Sequence, residues 1–357
     1  MKKLFSLSLL AGLLLTFNAC QKDDEKPEDT GFLYGAFVIN EGSFMNNNGS
    51  VSYIDLDSSY IVNNLFYSVN GRTPGDVVQS FTVAGDKGLI VVNNSAKVEV
   101  VDMKTFASLG TIKGCNYPRY ALPLTDNKVY LTNGSFAGQV YILDPDALAI
   151  TDSITVGNGP ENLVRSGDYV FVANSGGWTQ DSTVSVIDVN TDKVVKNIVT
   201  GDNPVDLAVD YQGNVWVLCK GKVVYDQNWN IVDETDSRLQ KIDASSLEVT
   251  QDFVIGQKGD YFNPQRLTIS SQGRVVLYLE HDGVYAVLAD NPSISDNVLI
   301  GGSFYGLDAD PVSGLIYVTD ARDFSSAGVL YRYRPDGFLQ DSVSVGIAPN
   351  GVYFNEK

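Results

Sequence analysis

From about residue 34 the chain runs in short stretches of Val, Ile, Leu and Tyr, each cut by Asn, Asp or Gly. Helical spacing is almost absent, so the pattern predicts strands joined by turns. Residues 160–204 show the unit: a proline turn (GPENLVRS), then DYVFVANSG, STVSVIDVN and DKVVKNIVTG, after which DNPVDLAVD opens the next. The same order returns along the chain. Turn markers stand at Pro74, Pro118, Pro160, Pro204, Pro264, Phe304 (in place of a proline) and Pro349, at steps of 44, 42, 44, 60, 40 and 45 residues. The second strands are AFVIN, LIVVN, KVYLTN, YVFVAN, NVWVL, VVLYLE and LIYVT, and the long step carries an insertion over 221–237.

A four-stranded unit repeating about every 40 to 45 residues predicts an all-β, seven-bladed β-propeller over 34–357. Each blade is too small to bury both faces alone, and stacking in a ring covers its edges. The array is entered inside a second strand and left on a first strand, so the C-terminal strand is expected to complete the N-terminal blade. Third strands often finish on an aspartate (Asp55, Asp102, Asp144, Asp188, Asp243), expected to accept backbone N–H groups in the following turn.

The first residues read differently. Lys2 and Lys3 precede an apolar run over 4–17, and Asn18, Ala19 and Cys20 follow. That is the layout of a secretory signal over 1–19, too short to remain as a spanning helix. The small residue before Cys20 resembles the bacterial lipobox, which implies cleavage there and lipidation of the Cys20 thiol. Several lipid chains hold a protein on a membrane where one short chain does not. Residues 20–33 begin with the polar QKDDEKPEDT run and are expected to form a solvated tether. A lysine and acids just after the cysteine are similar to the surface-export signal of gut Bacteroidetes lipoproteins, implying an outer-membrane, cell-surface location; a periplasm-facing spacer is the alternative.

Composition then excludes one class of partner. The sequence holds 25 basic and 43 acidic residues; without Lys2 and Lys3 the basic count is 23 and the balance −20. Such a surface repels phosphate backbones, so no nucleic-acid partner is expected. Cys115 and Cys219 fall in distant repeats and are expected as buried thiols.

In a four-stranded blade the loop entering the first strand and the loop joining the second and third share one face, here called the top. Aromatic residues concentrate in those loops, interleaved with Asn and Arg, while the opposite loops are short, polar and nearly free of them. Aromatics give large contact area at low entropy cost, so the top is the candidate binding face. Its candidate residues are Phe44, Asn94, Tyr117, Arg119, Phe136, Trp178, Tyr261, Phe262, Arg266, Tyr305, Arg322 and Phe324. His281, the only histidine, sits in a His281-Asp282-Gly283 turn and is expected to be a turn residue. Nucleophile elbows, phosphate loops and thiol–histidine pairs are missing. Neither an enzyme, a cofactor nor a metal is therefore expected.

Residues 169–206 (YVFVANSG…STVSVIDVNTDKVVKNIVTGDNPVDL) resemble the YVTN-type, YncE-like propeller repeats, and the likeness extends more loosely over 34–357. Joined to the lipidated cysteine and acidic tether, the architecture is similar to the BtuG-type surface lipoproteins. That resemblance implies a corrinoid (vitamin B12, cobalamin) as ligand and a TonB-dependent outer-membrane transporter as partner. Two other classes stay open: a glycan- or peptide-binding surface propeller with another transporter, and a lactonase-like hydrolase with carboxylates around a metal.

Overall fold

The computed structural model describes residues 31–58, 60–258 and 264–356. The signal, Cys20, most of the tether, Tyr261 and Phe262 lie outside them. Seven four-stranded antiparallel sheets make up the predicted propeller. The inner strands of blades 1 to 6 are Val78–Ala84, Pro118–Thr125, Pro160–Ser166, Pro204–Val209, Arg266–Ile269 and Gly306–Ala309. Blade 7 joins both ends of the array: inner strand Pro349–Asn355, then Gly35–Asn40, Ser50–Ile54 and Ile61–Val62. Gly35 sits opposite Asn355 and Val38 opposite Val352. Each inner strand touches the next, and Pro349–Asn355 touches Val78–Ala84, so the ring is closed. The approach is tight at Gly306, where a Cβ would lie 2.5 Å from the Asn350 carbonyl oxygen.

The local pattern explains where the core sits. Second strands such as Gly35–Asn40 are buried on both faces, which is why they read as continuous apolar runs. Outer strands such as Lys193–Val199 alternate. Adjacent blades pack apolar faces together: Leu89, Val91 and Val98 of blade 1 meet Val129 and Leu131 of blade 2. Phe171 and Val184 of blade 3 likewise meet Val217 and Ile242 of blade 4. The core therefore lies between blades, and the axis is left to polar side chains.

The third-strand aspartates do what their position implied. Asp144 accepts the N–H groups of Asp146 and Ala147 at 2.9 and 3.0 Å. Asp188 accepts those of Asn190 and Thr191 at 2.8 and 3.1 Å; Asp55, Asp102 and Asp243 do likewise. Cys115 and Cys219 are free and buried. Two elements were not predicted. The insertion forms a small hairpin, Val223–Tyr225 with Ile231–Glu234. A helix, Leu65–Asn70, follows blade 7 and buries Leu65 and Phe66 between Asn64 and Gly71, both at positive φ. Phe32 and Leu33 pack against the blade 7 and blade 1 core, with the Phe32 N–H donating to the Met103 carbonyl at 3.1 Å.

Candidate functional site

The inner strands converge at the axis, and the top-face loops around their starts frame a cavity of about 610 Å³. Every blade contributes a polar group to its wall: Gln79, Arg119, Glu161, Lys220, Arg266, Tyr305 and Glu41, from blades 1 to 7 in turn. Tyr120 and Asn203 add to them, and Phe44 and Phe324 edge the opening.

Most of these groups hold one another. Arg119 donates from Nε to Glu161 at 2.8 Å and from a terminal nitrogen to the Gln79 side-chain oxygen at 2.5 Å. Arg266 donates to the Tyr120 hydroxyl at 2.7 Å. Glu41 accepts from the Tyr305 hydroxyl at 3.0 Å and from the Asn350 amide at 2.8 Å. Burial works against the Arg266 charge, yet Tyr120, Asp206, Tyr305 and Glu41 around it keep its pKa above the ordinary value. Burial, then Glu41, raises that of Tyr305.

Lys220 is different. Among the described residues its ammonium has no hydrogen bond or ion pair. Burial lowers its pKa, Arg266 and Arg119 lower it further, and Glu161 opposes them. A partly desolvated cation at the mouth is a donor available to a ligand's acceptors.

Beneath the mouth lies a second cavity of about 270 Å³, sharing Gln79, Tyr120 and Arg266 with the first. Its wall shows how the ring is stitched across blades. Asp206 accepts the Leu267 N–H at 2.8 Å and the Asn162 amide, linking blade 4 to blades 5 and 3. Asp308 accepts the Val352 N–H at 2.6 Å, linking blade 6 to blade 7. The Asn350 amide donates to the Gln79 carbonyl at 3.1 Å, and the Ser80 hydroxyl to that of Arg119 at 2.7 Å.

Desolvation pushes the Asp308 carboxyl up to about 7, against the pull of the Val352 N–H and Arg266. The unfolded chain ionises this group near pH 4. The folded state therefore keeps a proton that the unfolded state releases, and stability from this group falls as pH rises from about 4 through 7. Asp308→Asn keeps an acceptor for Val352 and abolishes the ionisation. Relative to wild type it is expected to gain about 1–3 kcal/mol at pH 8 and little at pH 4. Thermal melts across that range check this, and an unchanged pH dependence would refute the assignment.

Of the residues chosen from sequence, Phe44, Arg119, Arg266, Tyr305 and Phe324 meet around the mouth. The edge of Tyr305 meets Phe324, ring centroids 5.0 Å apart, and Ser43 donates to the Phe324 carbonyl at 2.8 Å, which joins the blade 6 and blade 7 loops. Tyr117, Phe136 and Trp178 are 49, 56 and 73 % exposed and lie outside the wall. So does exposed Arg322. Asn94 donates at 2.5 Å to Asp76, in the loop that enters the inner strand of the same blade. Phe304, the turn marker that stands in place of a proline, packs against the blade 5–6 core. Sequence reasoning missed Glu41, Gln79, Glu161 and Lys220, because loop aromatics carried the selection and these stand singly among polar residues. Their shared place in successive repeats, beside each inner strand's start or second strand's end, was the available signal.

Comparison with known proteins adds a family and a fold. Residues 34–333 match the family described as a domain of unknown function, DUF5074, and the chain belongs to it. No curated protein matches the sequence. Among solved structures, the chain is similar to a quinonprotein alcohol dehydrogenase-like protein from Bacteroides thetaiotaomicron (18% identity, 91% of this chain and 79% of that one, TM-score 0.62). It is also similar to the periplasmic gluconolactonase of Pseudomonas aeruginosa (14% identity, 89% and 99%, TM-score 0.65). At these identities the likeness concerns the propeller fold.

Proposed function

We propose that the protein is a surface lipoprotein that captures a corrinoid at the mouth of its ring and passes it to a TonB-dependent outer-membrane transporter. The observation that carries the reading is the wall of the mouth, where Lys220, without a hydrogen bond or ion pair among the described residues, stands beside charges that hydrogen bonds hold, with Phe44, Tyr305 and Phe324 at its edge. A corrinoid is a broad disc edged with amides. Its edge would take the lysine and amide donors, while Phe44 (64% exposed) and Phe324 (48% exposed) contact its apolar surface. Exposed Tyr117, Phe136 and Trp178 lie farther out on the top-face loops and suit a ligand wider than the cavity.

The mouth carboxylates favour binding over hydrolysis, since Glu161 is engaged by Arg119 and Glu41 by Tyr305 and Asn350. An acidic glycan is the second reading, because Arg119, Lys220 and Arg266 all reach the wall. Titration of the purified protein with cyanocobalamin, followed by absorbance and calorimetry, decides between them. Saturable binding is expected. Phe324→Ala should weaken it by about 2 kcal/mol, roughly 30-fold. Asp168→Ala, on the opposite face, should leave it unchanged. Absence of binding at micromolar concentrations would remove the corrinoid reading and leave the glycan one.

A further inference from the structure

Blade 5 turns from Val275–Glu280 into Gly283–Leu288 through His281 and Asp282, with Glu280 opposite Gly283. One donor atom from each of Glu280, His281 and Asp282 lies within 4.8 Å of the other two. His281 and Asp282 are exposed, whereas Glu280 is only 8% exposed. Among the described residues the Glu280 carboxylate accepts no hydrogen bond and no lysine or arginine pairs with it. A buried carboxylate left without donor or counter-charge is costly. Here it faces a second carboxylate, and two like charges so close together call for a proton or a cation between them.

The surroundings favour such a cation. The Tyr285 hydroxyl donates to the Asp282 oxygens at 3.3 and 3.1 Å, orienting that carboxylate from behind as outer-shell groups do in metal sites. The Gly302 N–H donates to the Asp282 carbonyl at 2.9 Å, tying the turn to the outer strand of its blade. Two carboxylates with one imidazole form a mixed oxygen and nitrogen set suited to Zn²⁺, Mn²⁺ and their neighbours. Ligation at about 2.0–2.2 Å brings donors to roughly 3 Å apart, a contraction that the exposed His281 and Asp282 side chains can supply.

We infer that Glu280, His281 and Asp282 form a binding site for a divalent transition-metal ion at the top-face hairpin of blade 5. Three protein donors leave coordination positions for water or a ligand oxygen. The sequence marked His281 as a turn residue; the structure makes the turn a potential chelate. The site stands apart from the corrinoid reading and does not depend on it.

The test uses the purified full chain, stripped with a chelator and titrated with Zn²⁺ and Mn²⁺ by calorimetry. One saturable ion per chain is expected. His281→Ala and Glu280→Gln should each weaken it at least about 10-fold, and Tyr285→Phe should weaken it by about 10-fold. His281 is exposed, so its variant retains the fold, which circular dichroism verifies. No saturable binding by the wild type, or binding that His281→Ala leaves unchanged, overturns the site.

Discussion

Deleting residues 349–357 is expected to yield protein that is insoluble or lacks a cooperative melt, although it removes only one strand and two residues beyond it. Pro349–Asn355 supplies the inner strand of blade 7 and pairs along Gly35–Asn40. It also touches the inner strands of blades 1 and 6. Its loss strips pairing partners from a fully buried strand and uncovers the blade 7 core around Val38, Ile54 and Tyr317. Phe354, edge-on to Tyr317 at 4.9 Å, and Tyr353 beside Phe81 go with it. An unpaired apolar edge invites association with other chains, and total folding stability is only about 5–15 kcal/mol. Size-exclusion chromatography and circular dichroism measure the outcome. A monomeric truncation melting within a few degrees of the full chain would mean that the ring does not depend on this closure.

A single substitution at the axis is expected to be nearly as damaging. Asp206 accepts the N–H groups of Leu207 and Leu267 at 2.9 and 2.8 Å, together with the Asn162 amide. It is 6% exposed, and burial raises its pKa, opposed by those three donors and by Arg266. Asp206→Ala strands the donors and deprives Arg266 of a neighbouring negative charge. Each stranded buried donor costs about 1–3 kcal/mol, so a loss of at least about 3 kcal/mol is expected. Asp206→Asn keeps an acceptor and should cost less than half as much. Denaturant melts of the two variants separate the cases, and equal losses would show that the carboxylate's charge beside Arg266, not its hydrogen-bond acceptors, is what Asp206 supplies.

Chain order alone was enough for the ring, because a propeller blade is built from local contacts. Strands such as Tyr169–Asn174 and Thr183–Asp188 are hydrogen-bonded to their sequence neighbours, and Asp144, Asp188 and Asp243 settle their turns within three residues. Period, strand count and the composite blade follow from such signals. The helix Leu65–Asn70 escaped them, since its six residues are too few to show a period. The inserted hairpin escaped because it falls outside the repeat.

The mouth had to wait for the closed ring. Glu41, Arg119, Glu161, Lys220 and Arg266 each stand about 40 to 80 residues from the next along the chain, and each occurs in a setting that reads as ordinary surface. Closure brings them to one rim, where Arg119 finds Glu161, Tyr305 finds Glu41 and Lys220 stays unpaired among the described residues. Loop position put twelve candidates on one face, and five of the ten that lie among the described residues line the cavity. Which of them face inward depends on the direction of each side chain at the axis. Alternation determines that within a blade, but across the ring only the packing of seven separate blades decides which charges meet.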